Sequence, residues 1–526
     1  MKALFRFAYR RSIDQDREPG RHPVVVVGAG PVGLTAAIDL ALRGVPVTVL
    51  DDADRIGEGS RAICFAKRTL EIWDRLGVAG PMLDKGVTWR VGRVFFRDRQ
   101  VYEFDLLPED GHKMPAFINL QQYYAEHELV VRAEALATLD LRWRNRVTNV
   151  VPGSDGVRVE IDTPDGPYAI EADWLVAADG ARSTVRRRLG LDFVGEVFED
   201  RFLIADVKME AEYPTERWFW FEPPFHAGQS ALLHRQPDNV WRIDLQLGRD
   251  ADPEEERKPE RVLPRLKRML GNRPFDLEWV SVYTFQCRRL ERFVHGRVLF
   301  AGDAAHLVSP FGARGANSGV QDAENLAWKL ALVLDRKAPE SLMESYDRER
   351  VAAADENISH STRSTDFIAP RSSVERLFRN AVLELAAHTA FAKRMVNSGR
   401  LSMPCVYRTP LSTPDEDAWD GQARLGAPAP DAPLTDARGR CWLLNRLSPG
   451  FNLVHVADGT RPDVPAAVSV VSVGEDLRDE TGQFMRRYDA RPGSAYLLRP
   501  DQHLAARFRA CDRAKLEMAL ARATGF

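Results

Sequence analysis

The chain has 526 residues, a formal net charge of −3, 44 % apolar and 28 % charged residues, an ordinary globular composition with length for about three domains. The near-neutral balance gives no bulk electrostatic case for nucleic acid or an anionic membrane, and no apolar run approaches the ~20 residues that span a bilayer. Cys64, Cys287, Cys405, Cys441 and Cys511 are far apart without a CxxC pair, which argues for a reducing, cytoplasmic setting and against a disulfide framework or a metal site.

Residues 1–21 are basic and lack a continuous apolar core. They read as an N-terminal extension, packed on the surface or mobile, rather than a secretory signal. Residues 22–51, HPVVVVGAGPVGLTAAIDLALRGVPVTVLD, carry the strongest pattern. A valine strand runs into Gly28, Gly30, Pro31 and Gly33, then an Ala/Leu-rich helix, then a second strand closed by Asp51 and Asp52. Gly28 permits the strand-to-helix turn, Gly30 lets a pyrophosphate approach the backbone, and Gly33 lets helix and strand pack closely. The helix N-terminus then faces the anion. Asp51 stands where an acid would meet a ribose. The plainer alternative is an ordinary glycine-rich βαβ crossover.

Further along, the spacing predicts a helix over 63–77, strands over 91–106 and a helix over 121–138. A hairpin is expected around Pro164-Asp165-Gly166. Residues 200–247 alternate and are rich in Trp and Phe, which predicts a sheet. The charge run Glu254-Glu255-Glu256-Arg257-Lys258 reads as a solvated helix start. Strand 298–301 leads into a glycine-rich loop and a helix near 315–335, whose Val320, Ala323, Ala327, Leu330, Ala331 and Leu334 recur at helical spacing. Helices continue to about 400, followed by a proline-rich linker. The rest predicts strands at 451–456, 467–473 and 494–498 and a final helix over 504–523.

Two more motifs sit after apolar strands: AADGARSTVR around Asp179, and AGDAAHLVSPFGARGANSG from Ala301. Singly, each reads as a turn or a helix cap. In this order and spacing the three motifs resemble the class A flavoprotein monooxygenases, the FAD-dependent aromatic hydroxylases that include p-hydroxybenzoate hydroxylase and phenol hydroxylase. The resemblance implies an α/β fold with a Rossmann-like FAD-binding domain (mainly 22–85, 121–190 and 285–345), an inserted β-sheet substrate domain (mainly 86–120 and 191–284), a helical segment and linker (346–410), and a thioredoxin-like C-terminal domain (411–526). It implies FAD as cofactor, NADH or NADPH as co-substrate, and hydroxylation of a phenolic or related ring with O2 through a C4a-hydroperoxyflavin. Carried over residue by residue, FAD would be held by Gly28, Gly30, Pro31, Gly33, Asp51, Asp52, Arg61, Gln122, Asp179, Gly302 and Asp303, with Pro310, Gly312, Gly315, Ala316 and Asn317 along the isoalloxazine. The N–H groups opening that last helix would stabilise charge on the reduced ring. Dimers are common in the family, so a homodimer is an expected assembly; no nucleic-acid or membrane partner is.

The resemblance places the substrate against the 200–247 sheet. The position of p-hydroxybenzoate hydroxylase's carboxylate-binding arginine falls on Gln236, which disfavours a benzoate. His234 is a candidate catalytic residue that could relay a phenolic proton; a satisfied sheet histidine is the bland alternative. Tyr283 is a second catalytic candidate, and Trp220, Gln236, Phe285 and Pro310 are candidate pocket walls, with plain core packing as the alternative for the aromatics. Ile63 stands where phenol hydroxylases carry an aspartate, so that residue's role does not transfer. WFWFEP at 218–223 resembles a halogenase signature with Glu222 in place of isoleucine. A flavin-dependent halogenase, a double-bond reductase of the same fold and a non-catalytic FAD-binding redox or scaffold protein are the competing readings.

Overall fold

The computed structural model describes residues 5–16, 19–57, 62–396 and 401–526. Its first sheet is built on parallel strands in the order Leu139–Arg142, Val47–Leu50, Arg21–Val27, Tyr168–Ala177 and Val298–Phe300. Val24, Val25 and Val26 are fully buried, because helices cover both faces of such a sheet. Strand Arg21–Val27 has its successor on one side and the much later Tyr168–Ala177 on the other. The chain therefore changes direction there, and the crevice beyond the strand ends opens at that point.

The glycines of the first turn have three different tasks. Gly28 adopts φ +105°, and a Cβ on it would sit 2.5 Å from the Ala178 carbonyl. A Cβ on Gly33 would lie 1.9 Å from the Gly28 carbonyl. A Cβ on Gly30 would meet no atom within 4 Å. Two glycines are thus demanded by the protein's own packing, and the third faces open space.

The second sheet runs His306–Leu307, Asp276–Arg289, Val194–Lys208, Val240–Leu247, Ser230–Arg235, Arg217–Phe221, Val91–Phe96, Arg99–Asp105. Only Arg217–Phe221 with Val91–Phe96 pairs parallel; the other neighbours are antiparallel. Side chains alternate between faces. Leu203, Ala205, Leu233, Trp241, Ile243 and Leu245 form one core with Val262, Leu266 and Leu270 of helix Pro259–Leu270. The residues between them face the crevice of the first sheet.

The extension is packed rather than mobile over its described part: Phe7 stacks on Trp143 at 4.5 Å and Asp14 pairs with Arg142 at 2.7 Å. Residues 63–77 form a short strand, Cys64–Ala66, before helix Lys67–Arg75. The C-terminal sheet runs Val468–Val473, Phe451–Val456, Ala495–Leu498, Leu504–Phe508, with the first pair parallel and the rest antiparallel, the strand order of a thioredoxin-like core. The helix expected from residue 504 begins only at Arg513, capped by Asp512. Leu504, Ala505 and Ala506 are fully buried on the edge strand, and that burial overrides their helical propensity.

This C-terminal unit is bolted to the first sheet's helices by buried charge. Arg499 pairs with Glu349 at 2.7 Å and with Asp501 at 2.5 Å, Lys329 reaches the same Glu349 at 2.8 Å, and Arg68 pairs with Glu324 at 2.8 Å while donating to the Asp501 carbonyl at 2.7 Å. Burial alone would raise the Glu349 carboxyl, but Arg499 and Lys329 hold it well below the usual carboxylate range.

Gly30→Val should fold normally, by circular dichroism and melting, yet lose dinucleotide; Gly33→Val should fail at folding itself. Arg499→Met leaves Glu349 and Asp501 buried against fewer cations and should cost about 3–5 kcal/mol in denaturant unfolding. Because the folded Glu349 value is depressed, its contribution is complete above pH ~4.5 and is lost as pH falls toward the folded value. Unfolding midpoints at pH 5 and pH 3 should therefore separate for the native chain more than for Glu349→Gln.

Candidate active site

A cavity of about 360 Å³ opens at the switch point, lined by residues of all three sequence motifs together with the second sheet. Gly30, Pro31 and Val32 come from the first turn, Ala178, Gly180 and Ala181 from the second motif, and Asp303, Pro310, Gly315, Ala316 and Asn317 from the third. Segments nearly 300 residues apart in sequence thus share one wall.

Asp51 closes its strand with both carboxylate oxygens engaged, by the Ala29 amide at 2.6 Å and the Ala53 amide at 2.9 Å. Burial pushes its carboxyl up against the pull of those amides. Each oxygen keeps a lone pair for a hydroxyl donor. Asp52 is exposed. Gln122 lines the cavity and its Oε1 accepts from Ala62 N at 3.0 Å. Arg61 lies outside the described residues. Asp179 is not on the cavity lining: its Oδ2 accepts from Thr184 N at 2.7 Å and Val185 N at 3.1 Å at the start of helix Thr184–Arg188, whose N-cap is Ser183, and its buried Oδ1 has no hydrogen-bond partner, while Ala178 and Gly180 beside it form the wall. Gly302 adopts φ +61°, and its amide donates to the buried Asp322 at 2.9 Å. Asp322 is itself held by His306 at 2.6 Å and Arg350 at 2.5 Å. That anchored turn presents Asp303 to the cavity.

Helix Gly315–Leu334 points its N-terminus at the cavity. Gly315, Ala316 and Asn317 supply first-turn N–H groups that have no carbonyl one turn back within the helix. The Asn317 side chain is used by the protein instead. Its Oδ1 accepts from Ala66 N at 2.9 Å and Thr69 Oγ1 at 2.6 Å; its Nδ2 donates to Cys64 O at 2.9 Å and Ala313 O at 2.6 Å. Gly312 lies deeper, on a neighbouring cavity.

The opposite wall is the second sheet. Strand alternation brings Ile204, Arg217, Leu232, His234, Arg242 and Asp244 onto the cavity face. His234 is 3 % exposed and its Nδ1 has no hydrogen-bond partner. Burial, then Arg217 and Arg242, hold it well below the ordinary histidine range, so it is neutral at neutral pH. Arg242 is locked to Asp206 through two contacts of 2.8 Å, and Gln236 donates to the same Asp206 at 3.0 Å. Gln236 therefore supports that ion pair from behind and is not on the cavity wall. Burial pushes Asp244 up to about 6, and its Oδ1 is buried without a partner. Cys64 on the rim is pushed up to about 11, again chiefly by burial, and is an unreactive thiol.

Sequence reasoning missed Arg217, Arg242 and Asp244. The signal was present: a charged residue at every second position of an otherwise apolar strand, in phase with His234. Trp220, by contrast, points to the far face, stacked 5.2 Å from Phe95 and edge-on to Phe225. WFWFEP is thus a packing pattern, its Trp218 and Trp220 serving the outer core. Phe285 sits behind Phe311 at 5.2 Å, and Tyr283 packs in the same cluster beside Phe285 rather than on the cavity wall. Among the described residues no group of His, Cys, Asp and Glu could hold a metal ion, and no helix is long and apolar enough to cross a membrane.

The residues present fit FAD: an open approach at Gly30, Asp303 on its anchored turn and the helix N-terminus at Gly315 line one cavity, and Asp51 closes the strand beside the Gly28–Gly33 turn, held by the Ala29 amide. The family described as "FAD binding domain" matches residues 21–361. The chain is 32 % identical to the 6-methylpretetramide 4-monooxygenase of Streptomyces rimosus, over 92 % of this chain and 90 % of that protein. It is 28 % identical to the 3-(3-hydroxy-phenyl)propionate/3-hydroxycinnamic acid hydroxylase of Mycolicibacterium smegmatis, over 93 % and 90 %. The fold matches the flavin-dependent monooxygenase PieE, solved with FAD and substrate, at a TM-score of 0.82 and 23 % identity, covering 97 % of this chain and all of that one. Motifs, cavity and kinship together place the chain in the FAD-binding-domain family, among the FAD-dependent aromatic monooxygenases.

Proposed function

We propose that the protein hydroxylates a phenolic ring, one atom of O2 entering the ring as a hydroxyl and the other leaving as water, with two electrons from NADH or NADPH. The observation that carries this reading is the shared cavity, FAD-motif residues on one wall and His234, Arg217 and Asp244 on the other. Bound FAD supplies the hydride acceptor and the oxygen activation. The chain's residues supply the rest. Gly30 and the Gly315 helix end hold and polarise the cofactor. The sheet face and the Phe311 loop exclude water, which strengthens every charge interaction inside.

Two acceptors face the ring, and their proton affinities assign different roles. His234, between two arginines, stays neutral and is a poor proton acceptor; it orients the phenolic oxygen by a hydrogen bond. Asp244 titrates near 6, is ionised at neutral pH and is matched to remove the phenolic proton. Deprotonation raises the electron density of the carbon to be oxygenated. Two relatives are named for a 3-(3-hydroxy-phenyl)propionate and a 6-methylpretetramide, and the hydroxyphenyl group of the first supports a phenol as the substrate class. Five unpaired thiols fit a cytoplasmic setting. The buried charges tying the C-terminal unit to the FAD-domain helices favour an integral part of an enzyme over a tethered scaffold.

The test is NAD(P)H oxidation over a panel of phenols, with product mass and peroxide release measured together. Oxidation unchanged by every phenol would sink the hydroxylase reading. In kcat/KM against pH, activity should rise as Asp244 ionises through about 6. Asp244→Asn should abolish that limb and lower the plateau by about 10²–10⁴. His234→Gln should keep the limb, raise KM and release more peroxide per NAD(P)H. A limb surviving in Asp244→Asn would move the base elsewhere.

A further inference from the structure

Behind the flavin cavity lies a second one of about 450 Å³, between the edge of the substrate sheet and helices Met343–Ile368 and Ser373–Ala386. The two share Arg217, Phe311 and Arg314, which form a waist between them. The second chamber is walled by aromatic side chains, Phe219, Phe221 and Phe367 among them, with Arg363 and Arg394 on its lining. No carboxylate lines it among the described residues. Its roof helix is tethered to the sheet by the Arg379–Glu222 ion pair.

Arg217 at the waist is the anomaly. It is 7 % exposed, yet makes no hydrogen bond or ion pair with any described residue. Its sheet neighbour Arg242 is neutralised through two contacts to Asp206, and Arg93 on the adjoining strand by Glu216. A buried guanidinium without a contacting counter-charge is costly; Asp244 acts on Arg217 through space but makes no ion pair or hydrogen bond with it, so its planar fork of five donors stays open to an anionic oxygen pair. The first cavity would have to hold the flavin ring as well as the ring being oxidised, so further substrate rings need space beyond it. The second chamber, at about 450 Å³, is of the size that holds a drug-sized ligand.

We propose that this second chamber is a substrate subsite, and that Arg217 pairs there with an acidic oxygen carried by the substrate. The ligand class is a planar, multi-ring phenol: one ring stands against His234 and Asp244, the remaining rings lie among Phe219, Phe221 and Phe367, and a carboxylate or ionised enol meets Arg217 at the waist. This deepens the hydroxylase reading and rests on it for the identity of the first ring. Recognition is thereby divided, with chemistry in one chamber and the choice of substrate in the next.

The experiment is a binding titration of holoenzyme, followed by the change in flavin absorbance and independent of turnover. The probes are a dihydroxyanthraquinone carboxylic acid, its methyl ester and phenol. The acid should bind about tenfold or more tighter than the ester, the scale of one hydrogen bond between charged groups. Arg217→Met should erase that preference of the acid over its ester, and Arg217→Lys should retain part of it. Phe219→Trp, which fills the second chamber, should weaken the three-ring probes but not phenol. Equal affinity for acid and ester, or a preference surviving Arg217→Met, overturns the proposal. Retention of FAD and of its spectrum in each variant excludes misfolding. A protein that binds the acid through Arg217 but hydroxylates nothing would break the hydroxylase reading alone.

Discussion

The placement of one helix end governs the site. Helix Gly315–Leu334 runs through the middle of the molecule with sixteen of its twenty residues buried, and its N-terminus is pinned by the four hydrogen bonds of the Asn317 side chain. Those bonds join the third motif to the strand Cys64–Ala66 and the following helix. A positive helix end is of use to a cofactor only when it stays aimed, since the field falls off within a turn. Further along, Glu324 and Lys329 on the same helix enter the buried ion network that recruits the C-terminal unit. One element therefore aims the field at one end and anchors a domain at the other.

The FAD half of the protein was largely legible in the sequence, because the constraints there are local. Glycines at Gly28 and Gly33 answer to backbone atoms a few residues or one strand away, and such demands leave a fixed spacing. Asp179 and Asn317 show the limit of that legibility. Both belong to cofactor-binding motifs, yet the protein itself uses one Asp179 oxygen to hold the start of a helix and the whole Asn317 amide to pin a loop. A motif tells which segments converge; it does not tell which side chain in the segment faces the ligand.

The substrate side was less legible, because it depends on register across strands distant in sequence. Trp220 and Phe219 are adjacent and equally aromatic, but a period of two puts them on opposite faces. His234 faces the cavity, and so in consequence do Arg217, Arg242 and Asp244 from neighbouring strands. None of these carries a motif. They are visible only as charges in apolar strands, and their meaning depends on which are paired: Arg242 is, Arg217 is not. The helix expected from residue 504 failed for a related reason, an edge strand needing its apolar residues more than a helix did.

The Arg499–Glu349 and Arg68–Glu324 pairs bear on how such proteins can diversify. A C-terminal unit joined only by apolar contact could be exchanged between relatives with modest loss. Here a foreign tail would have to arrive with a cation aligned to Glu349 and a carbonyl aligned to Arg68. A mismatched tail at the proline-rich junction would leave Glu349 with Lys329 alone and Arg68 short of one acceptor, a cost that apolar contact would not carry.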